Sequence, residues 1–194
     1  CRAMKKLILA LVVISLGFAG IMIYNFAHNI TGPTPTNAPW APARLQIPAI
    51  HVDASVMGVG QTSSGAMDAP LSKAYNSPYW SSVFWYDVGA APGQSGNAVI
   101  AGHVDRVGGD PAVFWSLSKL QPGDTVTVIT NEGNVINYTV NQVVQYPANS
   151  SGPDTYNAVF GPTTGHHLNL ITCSGVWTGS GYDERLVVFT TQVG

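Results

Sequence analysis

The sequence predicts an all-β fold, a closed barrel or sandwich of roughly eight short strands with short helices, set behind one N-terminal membrane-crossing helix. Three observations point there. Charged residues make up only 9% of the 194-residue chain, whereas Gly and Pro number 21 and 13. That composition suits strands and turns rather than a helical bundle. Short apolar runs rich in Val, Ile and Thr recur between turn clusters over the C-terminal three-quarters of the chain. Residues 7–26, finally, run without a charge, a length that spans a hydrocarbon core as a helix.

The elements follow in order. Arg2, Lys5 and Lys6 precede the apolar run, and the next basic residue is Arg44. The positive-inside bias places the N-terminus in the cytoplasm and the remainder outside, as a single-pass cell-membrane protein. The stretch is long for a secretory h-region and lacks a small-x-small site after it, which favours an uncleaved signal anchor over a cleaved signal peptide. Residues 1–29 are thus the cytoplasmic tip and anchor. Residues 30–43 carry four prolines and no charge, and read as an extended extracellular spacer. Residues 44–194 form the folded domain.

Within that domain, 44–50 and 51–59 read as early strands. A buried strand at 97–103 follows the turn-rich Ala91-Pro92-Gly93-Gln94-Ser95-Gly96. Residues 113–120 read as a short helix, stopped by Gln121-Pro122-Gly123-Asp124. Strands at 125–130 and 135–144 flank Asn131-Glu132-Gly133-Asn134, a hairpin signal. A helical turn at 155–160 precedes two final strands, 167–173 and 184–192. Alternation puts Asn169, Ile171 and Cys173 on one face, with Leu168, Leu170 and Thr172 on the other. In the last strand Asp183, Arg185 and Val187 share a face, so Arg185 can stand beside Cys173.

Beyond residue 26, five basic residues face ten acidic ones, which argues against nucleic acid as a partner. The chain has two cysteines, Cys1 and Cys173. With a membrane between them they form no intrachain disulfide, and an unpaired thiol outside the cell invites a chemical explanation. Thiolate is the attacking form of cysteine, and a neighbouring His or Arg raises its fraction. An imidazolium then protonates a leaving amine, and a guanidinium or backbone N–H groups hold an oxyanion. Cys173, His103 and Arg185 are the residue types that such an acyl transfer uses.

Leu170-Ile171-Thr172-Cys173, Gly102-His103-Val104-Asp105 and the Arg of Asp183-Glu184-Arg185-Leu186-Val187-Val188-Phe189 resemble the corresponding segments of the sortases, cysteine transpeptidases of mainly Gram-positive cell surfaces. The early Leu45-Gln46-Ile47-Pro48-Ala49-Ile50-His51-Val52-Asp53 is similar to the family's opening strands. The stretch from Gly102 through Gly109-Asp110-Pro111-Ala112-Val113-Phe114 looks most like the class F or class E branch. The resemblance spans about residues 44–191, with His, Cys and Arg in the family's order.

It implies a sortase-type eight-stranded β-barrel in which Cys173 attacks the Thr–Gly bond of an LPXTG-like sorting signal on a surface protein. An amine from a cell-wall precursor or a pilin lysine resolves the thioacyl-enzyme. His103 serves as general acid/base, and Arg185 positions substrate or stabilises the oxyanion. No metal or organic cofactor is implied. The family commonly places Thr where this chain has Asn169, a departure that bears on substrate preference. Asn169, Thr172 and Trp177 are the further candidate substrate contacts.

Plainer readings compete at several positions. His103 ends a buried strand and suits a structural histidine, and Arg185 suits a surface ion pair with Asp183 or Glu184. Asp105 reads as a turn residue ahead of Gly108-Gly109. His166 and His167 are adjacent and point to opposite faces of a strand, a poor arrangement for one metal ion. Trp80, Trp85 and Trp115 read as core or groove walls. An L,D-transpeptidase is disfavoured, because Cys173 is followed by Ser174-Gly175 and the Arg lies much further on. The alternative of a different class is a catalytically silent extracellular barrel that binds or assembles surface proteins.

Overall fold

The computed structural model describes residues 38–149 and 153–194. The expected membrane segment at 7–26, Cys1 and most of the proline-rich spacer lie outside the described residues. Among the described residues no helix is long and apolar enough to cross a membrane.

Eight strands form: β1 (Pro42–Ile47), β2 (Val52–Val59), β3 (Val83–Tyr86), β4 (Gly96–Gly102), β5 (Thr125–Thr130), β6 (Val135–Pro147), β7 (His166–Trp177) and β8 (Tyr182–Val193). They close into a barrel in the order β1-β2-β3-β4-β7-β8-β6-β5. Closure leaves no exposed edge to template association. Two neighbouring pairs, β2/β3 and β4/β7, are parallel, and the rest are antiparallel. A parallel pair needs a crossover. Between β4 and β7 it is made by β5, β6 and a single helix, α1 (Pro153–Phe160).

Alternation fills the barrel. Leu45, Ile47, Trp85, Ile100, Leu168, Leu170 and Val188 face inward with the fully buried Phe114 and Tyr138. A smaller cluster on the outer wall, Tyr86, Val99, Val159 and Val187, is roofed by α1. Two amides fasten that roof. Asn169 Nδ2 donates to the Val159 carbonyl at 2.8 Å, and Asn97 Nδ2 donates to the Gly161 carbonyl at 2.9 Å. The end of the spacer is also tied down. Asn131 N and Glu132 N donate to the carbonyls of Ala41 and Pro39, and Trp40 meets Trp85 edge-on.

The structure departs from the sequence reading in three places. The expected strand at 44–50 stops at Ile47, because Pro48 opens a 3-10 turn and His51 closes it with φ 56°. The helix expected at 113–120 is reduced to a 3-10 turn, Leu117–Lys119. Its apolar residues Phe114 and Leu117 plug the barrel, and Val113 N and Phe114 N donate to the carbonyls of Trp80 and His103 instead of serving a helix. Strand β3 carries no alternation, since all four of its residues are buried. Nothing in its period marked it as a strand.

Candidate active site

β4 and β7 lie side by side and run the same way, with Ala101 opposite Ile171. Continuing that register by two positions brings His103, the first residue past β4, level with Cys173. Thr172 locks the alignment: its Oγ1 donates to the Gly102 carbonyl at 2.8 Å. Cys173 in turn stands directly opposite Arg185 in the antiparallel β7/β8 ladder. Period two allows Arg185 to stand beside Cys173, and the β7/β8 register sets the two directly opposite each other. Cys173 and Arg185 are on the face that carries Ile171 and Val187, while Thr172 and Leu186 turn inward.

His103 is held by its surroundings. Its Nε2–H donates to the Pro70 carbonyl at 2.8 Å, and its ring packs edge-on against Trp80 and Phe84 at 5.0 and 5.4 Å between centroids. With Nε2 engaged, Nδ1 is the nitrogen left to exchange a proton. A cavity of about 660 Å³ is lined by both His103 and Cys173, together with Leu71, Trp80, Asp105 and Trp177 among others. A second, apolar recess of about 220 Å³ lies beneath α1, lined by Tyr146, Val159, Phe160, Ile171, Arg185 and Val187. The Arg185 guanidinium is steadied by donating through Nη1 to the carbonyls of Glu184 at 2.8 Å and Tyr182 at 3.1 Å.

Burial pushes the Cys173 thiol up, since a thiolate is poorly solvated there. The positive charge of Arg185 pulls it back down, and the negative charge of Asp105 pushes it further up. The resting site therefore favours the protonated thiol. Attack then requires proton removal as substrate arrives, which an imidazole lining the same cavity is suited to do.

The remaining candidates are placed as follows. Asn169 shares the face predicted for it but is 1% exposed, and it spends its amide on holding α1. Thr172 is buried and aligns the two strands that carry His103 and Cys173. Trp177 is 58% exposed, lines the His103–Cys173 cavity, and meets Tyr182 edge-on at 5.4 Å. Asp105, read from sequence as a turn residue, also faces this cavity. It accepts a 2.6 Å hydrogen bond from Tyr182 Oη, a partner on β8 that no local pattern indicated. Its spacing of two from His103 was the available signal. Among the described residues, no group of three or more His, Cys, Asp or Glu side chains is placed to hold a metal ion.

Comparison with known proteins identifies the fold and the family. The family model of the sortase domain matches residues 45–193. A search of curated proteins gives no match. Among solved structures, the fold is similar to a Clostridium perfringens sortase D5 transpeptidase, with TM-score 0.56 and 21% identity over 79% of each chain. It is also similar to a lid mutant of sortase A from Corynebacterium diphtheriae, with TM-score 0.59 and 20% identity over 82% of this chain and 74% of that one. A pilus-related sortase C of Group B Streptococcus matches with TM-score 0.56 and 17% identity, over 81% and 69% of the two chains. With the family model covering nearly all of the described barrel, the chain belongs to the sortase family.

Proposed function

We propose that this protein is a cysteine transpeptidase that cleaves an LPXTG-like sorting signal between Thr and Gly and passes the acyl group to an amine at the cell surface. The observation that carries the reading is the position of Cys173, opposite Arg185 on the neighbouring strand and in one cavity with His103. His103 Nδ1 takes the thiol proton as Sγ attacks the threonyl carbonyl carbon. The tetrahedral oxyanion is held by Arg185. The C–N bond to glycine then breaks, and the Nδ1 proton goes to the leaving amine. In the second half an incoming amine attacks the thioester, gives its proton to His103 and expels the Cys173 thiolate.

The apolar recess under α1, with Arg185 on its wall, suits the apolar residues of the sorting signal that precede the threonine. Asn169 acts on that recess by anchoring its roof. The pilus-related sortase C among the similar structures supports surface proteins or pilins as substrates; the acceptor in this reading is an amine of a cell-wall precursor or a pilin lysine. The catalytic domain stands outside the cell on a single-pass anchor whose N-terminus is cytoplasmic, a topology resting on residues 1–29 and the spacer that follows.

The test is intact-mass spectrometry of the full chain in detergent, incubated with a panel of LPXTG-type peptides and a simple amine. An acyl adduct mapped to Cys173, lost in Cys173→Ala, is the expected result. Arg185→Ala is expected to retain its fold and lose most of its turnover. A folded, reduced wild type that neither forms an adduct nor transfers would favour the silent-barrel alternative.

A further inference from the structure

Cys173 lines the cavity that holds His103 and a further recess of about 270 Å³, while Arg185, opposite it on β8, lines the apolar recess under α1. The acyl chain extends toward Arg185. By microscopic reversibility, the leaving amine and the entering amine occupy the same place relative to the thioester, because His103 gives a proton to the first and takes one from the second. The acceptor therefore enters through the cavity that holds His103. That cavity is walled largely by Leu71, Trp80, Val107 and Trp177; its single carboxylate is Asp105, and the guanidinium of Arg106, also on its lining, is engaged elsewhere, donating to the Pro111 carbonyl at 3.1 Å and lying over the Tyr75 ring.

A free amine outside a cell arrives mostly as an ammonium, since an α-amino group titrates near ~8 and a lysine near ~10. Bringing it against apolar walls costs solvation unless a counter-charge receives it. Asp105 has the right sign and a fixed position. Tyr182 Oη donates to its Oδ2 at 2.6 Å, a short hydrogen bond that fixes the carboxyl group. That bond joins the segment after β4 to the start of β8, and both residues line the cavity. Tyr182 is pushed up to about 12, chiefly by this bond, so it remains a neutral donor at any physiological pH. The second oxygen, Oδ1, has lone pairs to offer an incoming N–H. The Asp105 charge is also felt at the Cys173 sulfur, which places the carboxylate within electrostatic reach of the reacting atom.

Resting on the transpeptidase reading above, we propose that Asp105, held by Tyr182, is the binding residue for the ammonium group of the acceptor, the site taking a primary amine in its cationic form. Asp105 Oδ1 receives the ammonium, and His103 Nδ1 removes one of its protons. The neutral amine then attacks the thioester carbonyl, and Sγ departs as thiolate. The chain thereby gains a preference for amines over water, which carries no charge for Asp105 to hold.

The test uses the full chain in detergent and bypasses sorting-signal recognition. A small activated thioester, S-phenyl thioacetate, acetylates Cys173, and intact mass then follows decay of the acetyl-enzyme at about pH 7. The acceptors are triglycine, which is cationic there, and hydroxylamine, which is neutral. Asp105→Asn is expected to lower the triglycine-to-hydroxylamine rate ratio about tenfold, as befits loss of one charge-assisted hydrogen bond. Tyr182→Phe, which keeps the ring and its packing on Trp177, is expected to lower the same ratio by a smaller factor. Both rates falling together in Asp105→Asn, or the ratio staying unchanged in both variants, would overturn the assignment. A wild type that cannot be acetylated at Cys173 would remove the transpeptidase reading itself, and the acceptor site with it.

Discussion

Gly102→Ala is the substitution through which the fold and the site can be tested together. Gly102 does not adopt a positive φ, so alanine meets no backbone strain there and the effect is steric. A methyl at this position would fall 2.5 Å from Cδ2 of Phe114 and 2.8 Å from its Cε2 and Cγ. Carbon atoms settle at about 3.5–4.0 Å, so the ring must retreat by roughly 1 Å. Phe114 is fully buried in the barrel plug, and overpacking of this kind costs about 1–3 kcal/mol. For a domain of this size that is a fall of roughly 3–10 °C in Tm.

The displacement does not stay local. Phe114 N donates to the His103 carbonyl at 2.9 Å, and Thr172 Oγ1 donates to the Gly102 carbonyl. The retreating ring therefore pulls on His103, the residue proposed above to exchange protons with the thiol. Thermal melts and the acetylation rate of Cys173 are the two readouts, and both are expected to fall. Phe114→Leu in the Gly102→Ala background is expected to restore part of each, giving a favourable coupling in a double-mutant cycle. A Gly102→Ala protein that melts within about 1 °C of wild type would refute the packing argument. Restored stability without restored acetylation would refute the link to His103.

Three other outcomes are expected. Alkylation of Cys173 by iodoacetamide should rise with pH along a curve displaced above that of free cysteine, because burial raises the thiol. Arg185→Ala should move the curve further up and Asp105→Asn should move it down, and the reverse order would contradict the electrostatics described. Tyr138, whose Oη accepts from Gly93 N at 2.7 Å, is pushed up to about 12 by burial. Its contribution is complete below the unfolded value near ~10 and is lost as pH rises toward the folded one. Tyr138→Phe should therefore flatten the alkaline limb of stability while costing about 1–3 kcal/mol at neutral pH, by orphaning the Gly93 N–H; urea melts at a series of pH values decide both. Asn169→Ala should strip hydrogen-exchange protection from 153–160 while the barrel strands keep theirs, since it removes the bond that holds Val159. Unchanged protection there would show that Asn97 and apolar contact suffice.

What was legible in the sequence was whatever has a short period. Counting by twos along β7 and β8 put Cys173 and Arg185 on faces that can meet, while their direct opposition is set by the strand register. The β5/β6 hairpin followed from its turn residues. Strand β3 was hidden, because it is buried on both faces and reads as an aromatic loop. The 113–120 segment looked helical because its apolar spacing is real, but those side chains fill the barrel end while their backbone binds His103 and Trp80. The Asp105–Tyr182 bond joins residues far apart in sequence. Only closure of the barrel creates that neighbourhood, and no window of sequence contains it. Asn169 illustrates the other limit: its face was predictable, but its partner on α1 was not.

The parallel pairing of β4 with β7 has a consequence for how such a protein can diversify. His103 and Cys173 are brought level by one ladder and one threonine hydroxyl, although two strands and a helix separate them along the chain. The roof over the acyl recess belongs to that intervening stretch and touches the ladder through two amide side chains. Under the function proposed above, a lineage, or an engineer, can therefore recast residues 153–160 to admit a different donor peptide while His103 and Cys173 stay in register. Recognition is an exchangeable cassette, and reactivity belongs to the chassis.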